Sequence, residues 1–134
     1  MNGSGEAVAR RAESLVGTRF RLHGRDPSTG LDCLGLVGEC LAAAGCPIRL
    51  PTGYRLRNYR CEAWLQQVDL SGLVPIESPD RRGDIVLIKP SIGQHHCLIT
   101  TGSGHMIHAH AHLRRVVRQC LPDRLQMIAG WRLT

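Results

Sequence analysis

The hydrophobic rhythm of the chain changes partway along its length. From Gly5 to Val16 the apolar residues Val8, Ala12, Leu15 and Val16 recur at helical spacing, while Arg10, Arg11 and Glu13 fall on the opposite side. Ser4 before this run and Gly17 after it supply a cap and a stop, predicting a first helix with one buried stripe. A second amphipathic run extends from Cys33 to Ala44 and halts at Gly45-Cys46-Pro47, with Leu34, Val37, Leu41 and Ala44 placed to share a buried face. Gly35 and Gly38 are poor helix formers, so close packing against a neighbouring element is expected there. Between the two helices, 18–31 reads as a loop with a strong turn signal at Asp26-Pro27-Ser28-Thr29-Gly30.

After Gly83 the period shortens to that of strands. Asp84-Ile85-Val86-Leu87-Ile88 reads as a buried strand closed by Pro90. Cys97–Thr101 and His105–His108 read as a hairpin joined through Gly102-Ser103-Gly104, and Arg115–Arg118 and Met127–Arg132 add two more strands. Residues 47–82 carry the weakest pattern: a short amphipathic helix at about 60–68, from Cys61, Trp64, Leu65 and Val68, between loops at Pro51-Thr52-Gly53 and Glu77-Ser78-Pro79-Asp80. Helices first and strands afterwards predict an α+β fold, with the N-terminal helices packed on an antiparallel sheet of about five strands.

Composition sharpens this picture. A chain of 134 residues that is 43% hydrophobic predicts one domain over residues 1–134, and with only 4% aromatics its core must be mainly aliphatic. No apolar run approaches the roughly 18–20 residues that span a bilayer, so no membrane span is expected. Met1-Asn2-Gly3-Ser4-Gly5-Glu6 has no signal-peptide pattern, which predicts synthesis in the cytoplasm. The net charge of +6 is almost all arginine, Lys89 being the sole lysine. Scattered arginines with few aromatics and no nucleic-acid-binding signature make an ordinary solvated surface the expectation, with no nucleic acid as partner. Six cysteines form no Cys-x-x-Cys pair, so neither a zinc ribbon nor a redox motif is supported, and no disulfide framework is expected. Cys40, Cys46, Cys61, Cys97 and Cys120 are expected as small buried hydrophobes.

Cys33 is different. A thiol on the first residue of a helix sits among unpaired N–H groups at the positive end of the helix dipole, and both favour thiolate. Cys33 is therefore a candidate nucleophile, and it needs an imidazole within reach plus a third polar group to orient that ring. The candidates cluster at His95, His96, His105, His108, His110 and His112. With the hairpin centred near Gly102–Ser103, the residue opposite His96 is His108, Ala109 or His110, and spacing alone does not choose between the two histidines. A rival reading takes His108-x-His110-x-His112, with His95 and Cys97 nearby, as ligands for zinc, nickel or copper. No Asp or Glu lies between Gly93 and Leu121 and the spacing matches no metal-site signature, so no metal or other cofactor is expected. His105 and His112 are expected as surface or hydrogen-bonded residues.

Taken in order, Gly17-Thr18-Arg19-Phe20, Asp32-Cys33-Leu34-Gly35-Leu36-Val37, Gly83-Asp84-Ile85-Val86-Leu87, His96-Cys97-Leu98-Ile99 and Ile107-His108-Ala109 resemble the NlpC/P60 family of cell-wall cysteine peptidases. The likeness is greatest to its phage-tail and gene-transfer-agent branch, through the Asp-Cys-Leu-Gly-Leu-Val form and an ending like Arg115-Val116-Val117-Arg118 followed by Ala129-Gly130-Trp131-Arg132. The resemblance implies a papain-like α+β fold with Cys33 as nucleophile, His96 as general base and His108 as orienting group. It implies hydrolysis of an amide in peptidoglycan stem peptides, typically between D-glutamate and a diamino acid. It also implies delivery by a phage-like tail or baseplate to the periplasm and cell wall. A structural tail component with little activity, or an amidase or acyltransferase on the same fold, are the alternatives. Two positions depart from the family. Phe20 stands where a Tyr hydroxyl usually serves the oxyanion site, leaving that work to His23 or a backbone N–H. Leu34 stands where many members have a Ser associated with substrate recognition. Asp32 matches the family, with a substrate amine or the helix cap as its expected partner.

Overall fold

The computed structural model describes residues 4–48, 72–91 and 94–134. Ser4 caps the first helix, α1 (Gly5–Ser14), its hydroxyl accepting the Ala7 N–H at 3.4 Å. The helix ends at Leu15, which leaves Val16 beyond the helical repeat. Val8, Ala9, Ala12 and Leu15 are buried, but Val16 is 45% exposed, so the expected stripe is one residue too long. The second helix, α2 (Cys33–Ala43), is capped by Asp32 and closed by Gly45 in the left-handed region, φ +82°. The loop between them holds a small hairpin, β1 (Arg25–Asp26) against β2 (Gly30–Leu31), that the sequence pattern does not reveal.

Six further strands make one antiparallel sheet: β3 (Leu73–Pro75), β4 (Ile85–Ser91), β5 (Gln94–Thr100), β6 (His105–His110), β7 (Arg115–Cys120) and β8 (Met127–Leu133). Their spatial order is β3-β8-β4-β5-β6-β7. The expected α+β architecture is present, with six strands rather than about five because β3 pairs with β8. Strand β4 also continues past the expected stop at Pro90. Its register with β5 shifts between Ile88 and Ser91, and a bulge is where a strand tolerates proline. The expected helix at 60–68 with Cys61, and the loop at Pro51-Thr52-Gly53, lie outside the described residues.

Both helices lie on one side of the sheet. Val8, Ala12, Leu34, Val37 and Leu41 join Ile85, Leu87, Cys97, Ile99, Ile107 and Trp131 in one buried cluster, aliphatic as the composition requires. Val86, Leu98 and Met106, at the alternate positions, form a second cluster. The sheet is tied at its centre by Asp84, fully buried just before β4. Its carboxylate accepts the Arg81 N–H at 2.9 Å and Arg132 Nε and Nη2 at 2.8 and 2.9 Å, which satisfies the buried charge. Cys40 and Cys97 are buried as expected, whereas Cys120 is exposed at the end of β7.

Candidate active site

The loop that leads into α2 is held to the helix start by Asp32. Its Oδ1 accepts the Gly35 N–H at 2.8 Å, which is the helix cap, and Arg25 Nη1 at 2.9 Å. Its Oδ2 accepts the His23 backbone N–H at 2.8 Å. Asp32 is only 2% exposed, so this carboxylate works as the clamp of the loop. Gly35 allows the approach, since a Cβ there would run into the Gly24 carbonyl oxygen. His23 reaches its position with φ +62°, and its side chain is exposed. Phe20 bridges to Leu31 and gives its N–H to the Arg114 carbonyl at 3.0 Å, while its half-buried ring packs against the core. Leu34, where the family pattern has Ser, is fully buried and serves packing.

Cys33 stands partly exposed at the head of α2. Its thiol is held well below the usual thiol range, first by a hydrogen bond with Cys97, then by a hydrogen bond and charge attraction from His96. Burial and the Asp32 charge oppose the shift and are outweighed. The Cys97 contact is not foreseen by the sequence pattern, which predicts Cys97 only as a small buried hydrophobe.

Behind Cys33 the imidazoles form a line. His96 Nε2 lies 2.6 Å from His108 Nδ1, and His108 Nε2 lies 2.6 Å from Gln119 Oε1. With Nε2 of His96 engaged in this way, Nδ1 is the ring nitrogen left for Cys33. The hairpin register pairs Ile99 with Ile107 and Thr100 with Met106; carried on unbroken, it would set His96 opposite His110. The contact with His108 is thus diagonal, within the reach of long side chains across a strand pair. His108 is 7% exposed, and burial pushes its pKa down to about 4, with the nearby His96 and His110 adding to the effect and the Gln119 bond opposing it. His108 is neutral near pH 7.

The side chain of His95 lies outside the described residues, and His105, His110 and His112 make other contacts or face solvent. His110 lies 5.4 Å from His108 between ring centroids, and its Nδ1 accepts the Leu113 N–H at 3.1 Å. His105 Nδ1 is 3.1 Å from the Ser103 carbonyl, and His112 is exposed. Among the described residues no group of three or more His, Cys, Asp or Glu side chains is gathered to hold a metal ion.

A partly exposed thiol at a helix start, an imidazole beside it and a second imidazole behind that one form the arrangement expected of a cysteine hydrolase. The NlpC/P60 family model matches residues 17–124, which take in the thiol and both imidazoles. The chain belongs to the NlpC/P60 family. Among solved structures, this NlpC/P60 chain is similar to the NlpC/p60 domain of the peptidoglycan hydrolase SagA, at 23% identity over 97% of both chains with a TM-score of 0.63. It is also similar to NlpC2 from Trichomonas vaginalis, at 17% identity over 96% of this chain and 46% of that one, TM-score 0.68. A third likeness is to the peptidoglycan hydrolase RipB from Mycobacterium tuberculosis, at 23% identity over 96% of this chain and 63% of that one, TM-score 0.62. The NlpC/P60 chain thus spans nearly all of the SagA domain but less than two thirds of the other two. No curated protein matches it. No helix among the described residues is long and apolar enough to cross a membrane.

Proposed function

We propose that this NlpC/P60 domain is a cysteine hydrolase that cuts an amide bond in peptidoglycan stem peptides, between D-glutamate and a diamino acid. One observation carries the reading: the His96 ring, whose hydrogen bond and charge help Cys97 hold the Cys33 thiol low, has its Nε2 2.6 Å from Nδ1 of the buried His108. Two of the similar structures, SagA and RipB, are described as peptidoglycan hydrolases, which supports the choice of polymer.

Cys33 Sγ, as thiolate, attacks the amide carbonyl carbon to form a tetrahedral intermediate. The N–H of Cys33, at the head of α2, faces the developing oxyanion; the Gly35 and Leu36 N–H groups are already committed to Asp32. His96 Nδ1–H protonates the leaving amine, the C–N bond breaks and a thioester remains. His96 Nδ1 then takes a proton from water, the hydroxide oxygen attacks the thioester, and the acid product leaves with the thiolate restored. Neutral His108 accepts the His96 Nε2–H throughout and steadies the imidazolium. Asp32, clamped by Arg25 and His23, holds the loop that frames the thiol, and Phe20 supplies no donor to the oxyanion. The Asp32–Val37 form and the 115–118 and 129–132 endings support delivery to the cell wall by a phage-like tail, the place where the domain would act.

Digestion of purified peptidoglycan, with products identified by mass spectrometry, tests the reading. Wild type should release fragments with a new D-glutamate carboxyl end, and Cys33→Ala should lose this by at least about 10³-fold. Identical product profiles from the two proteins would sink the hydrolase reading and leave a structural tail component.

A further inference from the structure

We propose that Gln119 is a positioning residue that selects the tautomer of His108 and so keeps the proton of neutral His96 on Nε2, leaving Nδ1 as the base toward the thiol. The proposal deepens the hydrolase reading and rests on it for the role of the thiol. Its evidence is a side chain on β7 that neither the spacing of the motifs nor the Cys–His–His assignment includes.

Gln119 Oε1 is a carbonyl oxygen, so it can only accept, and it lies 2.6 Å from His108 Nε2. His108 must therefore carry a proton on Nε2. Burial keeps the ring neutral, so it has only that one proton, and Nδ1 is left with a lone pair. That lone pair lies 2.6 Å from His96 Nε2, which must then be the donor. His96 consequently keeps Nε2–H in both its neutral and charged forms, and Nδ1 is the nitrogen that gains and loses a proton beside Cys33. Each link leaves one direction for the next.

Without the Gln119 carbonyl, His108 is free to move its proton to Nδ1. That proton would meet the His96 Nε2–H head-on, or drive the His96 proton to Nδ1 and leave no lone pair toward Cys33. His108 is 7% exposed, which limits replacement of the missing acceptor by water. The wrong tautomer of a catalytic histidine disables a related nucleophile without disturbing its geometry. Gln119 is half-buried and paired across from Met106, two positions along β7 from Val117, the residue opposite His108. It reaches His108 diagonally, just as His108 reaches His96.

The test uses the full chain as wild type, Gln119→Leu and Gln119→Glu, the last keeping a carbonyl-type acceptor at the same reach. Ring-nitrogen NMR of ¹⁵N-labelled wild type at neutral pH should show His108 protonated at Nε2 and bare at Nδ1. Cys33 alkylation by iodoacetamide at pH 7 should slow about 10- to 100-fold in Gln119→Leu, the scale seen when the outer hydrogen-bond partner of a metal-bound imidazole is removed, and return to within a few-fold of wild type in Gln119→Glu. On peptidoglycan, kcat should fall with KM unchanged. A wild-type His108 protonated at Nδ1 overturns the proposal, and so does Gln119→Leu, folded by circular dichroism, labelling at the wild-type rate. The NMR result on wild type stands even where a variant fails to fold. An inactive wild type with the expected ring protonation and labelling rates would instead remove the hydrolase reading and keep the role of Gln119.

Discussion

Two cysteines on one helix meet opposite surroundings. Burial pushes the Cys40 thiol up to about 12, while Cys97 and His96 hold Cys33 well below the usual thiol range. At pH 7 Cys33 should alkylate at least about tenfold faster than Cys40 in the folded protein, read by mass spectrometry of the labelled peptides. Equal rates would remove the case for activation. His108 adds a pH dependence. An unfolded histidine titrates near 6.5 and the folded His108 at about 4, so above 6.5 the ring is neutral in both states. Between 6.5 and 4 the unfolded chain takes a proton that the folded one refuses, and stability falls as the pH falls through that window. The loss is at most about 3 kcal/mol. His108→Leu should flatten this part of the profile in urea unfolding series at pH 7, 5 and 4; a slope equal to wild type would refute the buried neutral ring. The helix start at Cys33 was legible in the sequence because a helix cap is a local signal, whereas hairpin spacing left His108 and His110 open as the neighbour of His96 and only the family resemblance pointed to His108. Gln119 was not legible, because the predicted strand stopped at Arg118, one residue short, and its meaning depends on a pairing partner in another strand. The oxyanion side was only partly legible: the Asp32 cap followed from its position, but its bond to the His23 backbone depends on how the loop folds back.

At the scale of elements, the fit between α2 and its approach loop rests on a glycine. A Cβ on Gly35 would strike the Gly24 carbonyl, and Gly24 sits between His23 and Arg25, the two residues that grip Asp32. Gly35→Ala should therefore lower stability by about 1–3 kcal/mol in thermal or denaturant unfolding and slow Cys33 labelling as well. A loss of stability with unchanged labelling would separate the packing from the site. Sequence pattern anticipated this close approach, because glycine in a helix otherwise costs stability without return. It placed both helices to within two residues, running on to Val16 where α1 ends at Ser14 and to Ala44 where α2 ends at Ala43. Strands were harder to bound. Leu73-Val74-Pro75 is too short to show alternation and becomes a strand only because β8 pairs with it. The pattern predicts a stop at Pro90, yet a register shift lets β4 pass through it.

For the molecule as a whole, the proposed chemistry is strung across the sheet toward its outer side. The thiol stands at the head of α2, His96 on β5, His108 on β6 and Gln119 on β7, the last strand in the order. That outer strand is only half covered. Val116 gives its N–H to the Thr18 carbonyl at 2.8 Å and takes the Gly17 N–H at 2.9 Å, so the segment before Phe20 shields the first part of β7. Among the described residues no such bond to that segment continues as far as Arg118. The strand should therefore breathe from its far end, where Gln119 sits. In deuterium exchange the Val116 amide should be retained longer than the Arg118 amide; equal retention would mean that the strand opens as one piece. On gentle warming, the far end of the histidine line should then loosen while helices and core remain closed. Heat would silence the thiol before it unfolds the protein, and cooling would restore it.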